Sequence, residues 1–290
     1  MFQQILVTGI FSSAIYFLLA LGFALVFGVG RIINLSHTAL YMVAAYVIFT
    51  LVKQAGANVI LSIAVSIIFT TLIGAATYKL VIERVREHEI TVMIVTLALA
   101  LVFQELMVLF FTSKYYGIDN YIPGYVNVLG IRVTNQQVLS LLVAVLCAAL
   151  VSIFLTRTKV GLAIRVTAQD REIANLMGIN VDQMCIIAVT IAAALSSIAG
   201  AFVAPIYVVQ PYMWLSPLVT VMAIVVLGGL GSTTGALIGA LIIGFTETCV
   251  IYFVPQGSFL RDAVAMLVMI IALLVKPEGL FGVVFEEERL

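Results

Sequence analysis

The sequence predicts an all-α, polytopic integral membrane protein: a helical bundle of about eight or nine transmembrane segments, with one short amphipathic helix on the cytoplasmic side. Three observations carry this. Hydrophobic residues make up 63% of the 290-residue chain and charged residues 10%, with a mean hydropathy of +1.23, whereas soluble domains hold roughly 45–50% apolar and about 25% charged residues. The apolar residues gather into stretches close to the roughly 20 residues that a spanning helix needs. Almost no length remains between them for a separate soluble domain, so 1–290 reads as one transmembrane unit.

The stretches run 5–28, 38–52, 59–82, 91–112, 136–156, 184–208, 217–230, 235–254 and 261–276. Two of them, 38–52 and 217–230, are short for a full crossing and point to a broken or re-entrant segment protected inside the bundle. The first stretch is expected to be a retained helix. Met1-Phe2-Gln3-Gln4 carries no basic side chain, and the apolar run is about twice the length of a signal core.

Orientation follows from the distribution of lysine and arginine near the span ends. One side receives Arg31, Lys79, Arg84, Arg86, Arg157, Lys159, Arg165, Arg171, Lys276 and Arg289; the other receives only Lys53, Lys114, Arg132 and Arg261. The first side is therefore cytoplasmic. Tyr115, Tyr116, Tyr121, Tyr125, Tyr207, Tyr212 and Trp214 cluster in the opposite loops as an interfacial belt.

The longest polar island is the cytoplasmic loop of about 157–183. Leu162, Val166, Ile173, Leu176 and Met177 recur there at near-helical intervals, with Arg165, Gln169, Asp170 and Glu172 between them. Gly178 stands where a left-handed C-terminal cap is wanted, and Ile179 follows as the hydrophobic closure. By spacing alone, this helix lies on the bilayer, serves as a simple connection, or offers a handle to a soluble partner.

Several classes of chemistry lack their signatures. Cys147, Cys185 and Cys249 sit in apolar stretches without paired spacing, and the two histidines, His37 and His88, are far apart with no His-Glu-x-x-His motif. No metal site is therefore expected. His37, with Asn34 and Ser36, reads as a capping or interhelical contact. No lysine follows a glycine, so the Gly-Lys of a phosphate-binding loop is missing. No basic patch is large enough for nucleic acid. The mixed-sign run Glu83 to Glu89 reads as a cytoplasmic loop that is solvated or brushes a soluble partner, and the tail Glu286 to Arg289 is expected to be short and mobile.

Read together, four segments are similar to the permease subunits of ABC importers for branched-chain amino acids, of the LivH type. They are Ala20 to His37, with its glycine-punctuated passage into Asn34-Leu-x-His37; Thr158 to Arg165 followed by Ala174-Asn-Leu-Met-Gly-Ile-Asn180; Leu227-Gly-Gly-Leu-Gly-Ser232; and Lys276-Pro-Glu-Gly-Leu-Phe-Gly282. The resemblance covers essentially the whole chain and departs at Val166, where many relatives carry alanine. It implies a translocating subunit of the bacterial plasma membrane that is not itself an enzyme and holds no cofactor. It also implies a second related permease in a heterodimer, two cytoplasmic ATPases that use the ATP, and an extracytoplasmic solute-binding protein. The island becomes the coupling loop, with Gly161, Arg165, Ala174, Gly178 and Ile179 carrying contact with the ATPase. Permeases of the same family for amides or urea, or a self-sufficient channel or secondary carrier, are the alternatives.

Ionisable groups inside apolar stretches are costly and mark pathways. Glu105 beside Gln104, and Glu247 between Thr246 and Thr248, are accordingly the pathway candidates. Gly231, Gly235 and Gly239 recur every four residues and are expected to form a helix-packing face.

Overall fold

The computed structural model describes residues 1–282. Arg289 and the Glu286 to Arg289 tail lie outside them. The helices are α1 (Phe2–Gly30), α2 (His37–Phe49), α3 (Val59–Thr77), α4 (Glu83–Val85), α5 (Glu89–Phe111), α6 (Asn135–Arg157), α7 (Lys159–Gln169), α8 (Arg171–Leu176), α9 (Val181–Val203), α10 (Leu215–Gly228), α11 (Thr233–Phe253) and α12 (Arg261–Val275). A π-helical turn extends α2 through Thr50–Gln54, and another joins α3 to α4 through Tyr78–Ile82. Among the described residues seven helices are long and apolar enough to cross a membrane. With α2 and α10, every apolar stretch of the sequence has become a helix.

Local chemistry explains most boundaries. Asn58, Thr134, Asn180 and Ser232 cap α3, α6, α9 and α11 with side-chain oxygens that accept from the first-turn N–H groups. Thr134 and Gln137 complete a reciprocal capping box. Among the described residues one element, a hairpin, is not helical. A two-stranded hairpin, β1 (Tyr125–Val128) and β2 (Ile131–Thr134), stands in the outer loop before α6. Its two-residue turn, Leu129-Gly130, has φ of 52° and 83°, the geometry that matches strand twist. Eight strand residues of mixed polarity leave no membrane signature, so the hairpin is silent in the hydropathy pattern.

The core is an inverted repeat. Helices α1 and α9 cross the centre antiparallel: Cys185 lies by the Val29 carbonyl, and Gly22 lies against Ala192. Around them α1 packs on α11 while α9 packs on α3; α2 lies between α9 and α3, and α10 lies between α1 and α11. Exchanging α1–α2–α3 for α9–α10–α11 maps one set of contacts onto the other, the arrangement of many transporter folds. Each half contains one short inner helix, α2 or α10.

Helix α2 begins deep in the bundle. After α1 ends, Arg31 turns left-handed at φ 46° and residues 31–36 run back without helical structure. The His37 ring then bonds through Nε2 to the Leu19 carbonyl of α1 at 3.1 Å. Leu19 precedes the cytoplasmic end of α1 by about 16 Å at ~1.5 Å per residue. Irregular backbone at that depth is tolerable only when enclosed. Ile32, Asn34 and Ser36 are accordingly buried.

Candidate functional site

Two places concentrate the polar chemistry, the cytoplasmic loop and a cavity on the outer side. The loop forms two helices rather than one. Asp170 leaves the helical region at φ −151° and its carboxylate accepts from Ile173 N, so α7 ends and α8 begins at that residue. Helix α8 closes as the spacing predicts: Gly178 has φ 79°, its N–H donates to the Asn175 carbonyl, and Ile179 N–H donates to the Ala174 carbonyl, a Schellman motif.

The other loop candidates set this shape from within. A Cβ at Gly161 would lie 2.1 Å from the Phe154 carbonyl, so only glycine lets α7 fold back on α6. Ala174 is fully buried and packs inside its own chain. Arg165 stands away from α8 and lines the cavities beneath α7. The apolar side of the loop points outward at the tip, where Ile173, Leu176 and Met177 are 52%, 87% and 68% exposed.

Hydrogen bonds tie the loop to the bundle. Arg171 donates through both Nε and Nη2 to the Val29 carbonyl, at 3.1 and 2.9 Å. That carbonyl belongs to the last turn of α1, beside the break that leads to α2. Burial lowers the Arg171 pKa from its ordinary value, yet a guanidinium stays charged. Arg86 pairs with Asp182 at 2.6 Å and holds α4 to the start of α9.

On the outer side, a cavity of about 340 Å³ is lined by Tyr16, Tyr41, Tyr207, Gln210, Ser216 and Arg261, among others. Glu247 lies behind it, 2% exposed. One carboxylate oxygen accepts from Tyr16 Oη at 2.9 Å and Arg261 Nε at 2.8 Å, and the other accepts from Thr220 Oγ1 at 3.1 Å. The Arg261 guanidinium also stacks over the Tyr16 ring. Glu247 therefore joins α1, α10, α11 and α12. Arg261, counted on the outer side at the start of the 261–276 stretch, is the first residue of α12, and its side chain folds inward to pair with Glu247.

Gln104 and Glu105 are not part of that cavity. Gln104 is buried, accepts from Trp214 Nε1 at 3.0 Å and donates to Glu105 at 3.1 Å. Glu105 is exposed on the outward face of α5 among Leu101, Val102, Leu106 and Leu109. Consecutive helical residues point about 100° apart, so the two cannot share one direction. The glycine face divides in the same way. Gly235 and Gly239 pack against the Gly228 and Ile224 carbonyls of α10, whereas Gly231 lies before the helix with φ 83°, against Gly28 of α1.

The family described as "Branched-chain amino acid transport system / permease component" matches residues 5–273. The chain belongs to this family. It is 28% identical to the high-affinity branched-chain amino acid transport system permease protein BraD of Pseudomonas aeruginosa, over 97% of this chain and 96% of that protein. The permease protein LivH of Escherichia coli strain K12 is 26% identical, with 97% and 96% covered. A probable LivH of Methanocaldococcus jannaschii is 28% identical, with 97% and 93% covered. Among solved structures, PsaBC from Streptococcus pneumoniae in complex with Fab has the same fold at a TM-score of 0.55 and 14% identity, covering 96% of this chain and 94% of that one. The chain is thus a multi-pass permease subunit of the inner membrane, a transport component rather than an enzyme.

Proposed function

We propose that this permease is the translocating part of an ABC importer for branched-chain or other small amino acids. An extracytoplasmic binding protein delivers the solute, and two cytoplasmic ATPases hydrolyse ATP; the chain itself needs no cofactor. The relatives' names support the solute class. The observation that carries the reading is the α8 tip. Apolar side chains as exposed as Leu176 and Met177, on a cytoplasmic projection braced by Arg171, form a surface that a partner covers. Gly161, Ala174, Gly178 and Ile179 shape the projection, and movement of it pulls on the joint between α1 and α2 through Arg171.

A second, related permease completes the path in a heterodimer. A carboxylate part-way along a span is too costly to face lipid, so the exposed Glu105 marks the α5 face as one that meets water or another subunit. In this reading Glu105 lines the path, with Gln104 fixing its base, while Glu247 braces the wall. On the outer side the hairpin presents Tyr125, Val126 and Leu129 to the binding protein.

The test uses the assembled complex in proteoliposomes. Leu176→Asp with Met177→Asp lowers solute-stimulated ATP hydrolysis and uptake by about tenfold or more, as expected for loss of an anchoring contact, while membrane insertion is retained. Undiminished stimulation in that variant overturns the coupling assignment.

A further inference from the structure

One large cavity lies on neither the coupling tip nor the polar outer site. It is a groove of about 760 Å³ between α6 and α11, floored by α1. We propose that it seats an anionic phospholipid of the cytoplasmic leaflet, with the phosphate at Arg165.

The distribution of chemistry along the groove carries the proposal. Its floor is Ala14, Phe17 and Leu21, and its walls include Val145 and Ala148 of α6 and Leu241 of α11. Along α6 the lining runs from Leu141 to Thr156, about 22 Å at ~1.5 Å per residue. That exceeds the roughly 15 Å that one leaflet contributes to a ~30 Å hydrocarbon core, so an acyl chain fits lengthwise. The polar groups collect at the cytoplasmic end: Ser152, Thr156, Arg165, Thr233 and Thr234. At the other end the Ser13 hydroxyl is satisfied by the Gly9 carbonyl at 2.6 Å.

Arg165 has no hydrogen-bond or ion-pair partner among the described residues, and it opens onto the groove. The N-terminus of the 21-residue α11 adds positive potential beside it. One cation and four hydroxyls above a long apolar slot complement an amphiphile with an anionic head. A helix of a neighbouring subunit would match the apolar length but leave the cation without a counter-charge.

The experiment uses the complex with its partner subunits, delipidated in detergent and examined by native mass spectrometry with phosphatidylglycerol or phosphatidylcholine added. Phosphatidylglycerol is retained about fivefold better, the effect of one cation near an anionic headgroup. Arg165→Gln abolishes the preference, Arg165→Lys restores most of it, and Ala148→Trp, which fills the slot, removes both lipids. Equal retention of the two lipids, or a preference untouched by Arg165→Gln and Ala148→Trp, overturns the proposal. A photoreactive residue at Val145 in native membranes gives a lipid adduct. An adduct to a second permease chain instead assigns the groove to a subunit interface and likewise overturns it.

Discussion

Helices α2 and α10 occupy matching places in the inverted repeat, yet they are stabilised in different ways. Every α2 residue except Val47 is buried, and its start is sealed by neutral hydrogen bonds: His37 to the Leu19 carbonyl, Ser196 Oγ to the His37 carbonyl at 2.7 Å, and Leu35 N to Thr96 at 3.1 Å. Helix α10 has one half-open side next to the outer cavity. Its partners there are ionisable: Thr220 with Glu247, Ser216 with Asp262 at 2.6 Å, and Arg261 across Glu247. A neutral, enclosed break suits a fixed post, because unmaking its bonds inside the membrane leaves backbone polar groups unpaired. A charged break beside water can exchange partners. The repeat thus supplies two similar elements, one walled in by neutral hydrogen bonds and the other flanked by ionisable side chains.

That contrast can be broken most strongly at Glu247. Glu247→Ala leaves Arg261 part-buried without its counter-charge and is expected to cost about 3–5 kcal/mol, read as a lowered thermal midpoint of the purified complex. Glu247→Gln with Arg261→Met recovers most of that loss if the pair is structural. A double variant as unstable as the single one argues that solute or another group relies on the charges.

On the α2 side, His37→Ala removes a neutral bond that fixes the start of the helix and is expected to cost about 1–3 kcal/mol. The loss should be the same with and without solute. A solute-dependent change would show that the start of α2 responds to transport.

The smallest effect is expected at the Lys53–Asp119 pair in the outer loops, where Asp119 is 90% exposed. Lys53→Ala should change stability by less than about 1 kcal/mol and leave both short helices unaltered. A larger shift in the same melt would show that the outer loops share the load of α10.

Much of this was legible in the chain. Hydropathy placed every span within a few residues because a bilayer imposes length and polarity directly on sequence. The same constraint exposed 38–52 and 217–230 as too short. The Gly178-Ile179 closure was legible because a left-handed cap depends on local backbone alone. Glu247 stood out by its cost in an apolar stretch, but Arg261, Tyr16 and Thr220, which explain it, are distant in sequence and carry no spacing signal. Gly231 looked like part of a four-residue stripe until the turn before α11 removed it from the helix.

By itself, then, the sequence determined the membrane class, the helices and the Gly178 closure, each of which follows from composition or from residues within about one turn of each other. Tertiary structure decided which polar groups face inward. Glu105 and Gln104 are neighbours in the chain yet point to different surroundings, and Leu176 and Met177 point out where amphipathic periodicity alone would allow them to face the bundle. The physical reason is that periodicity fixes directions around a helix axis, whereas only packing against other helices fixes what lies in each direction.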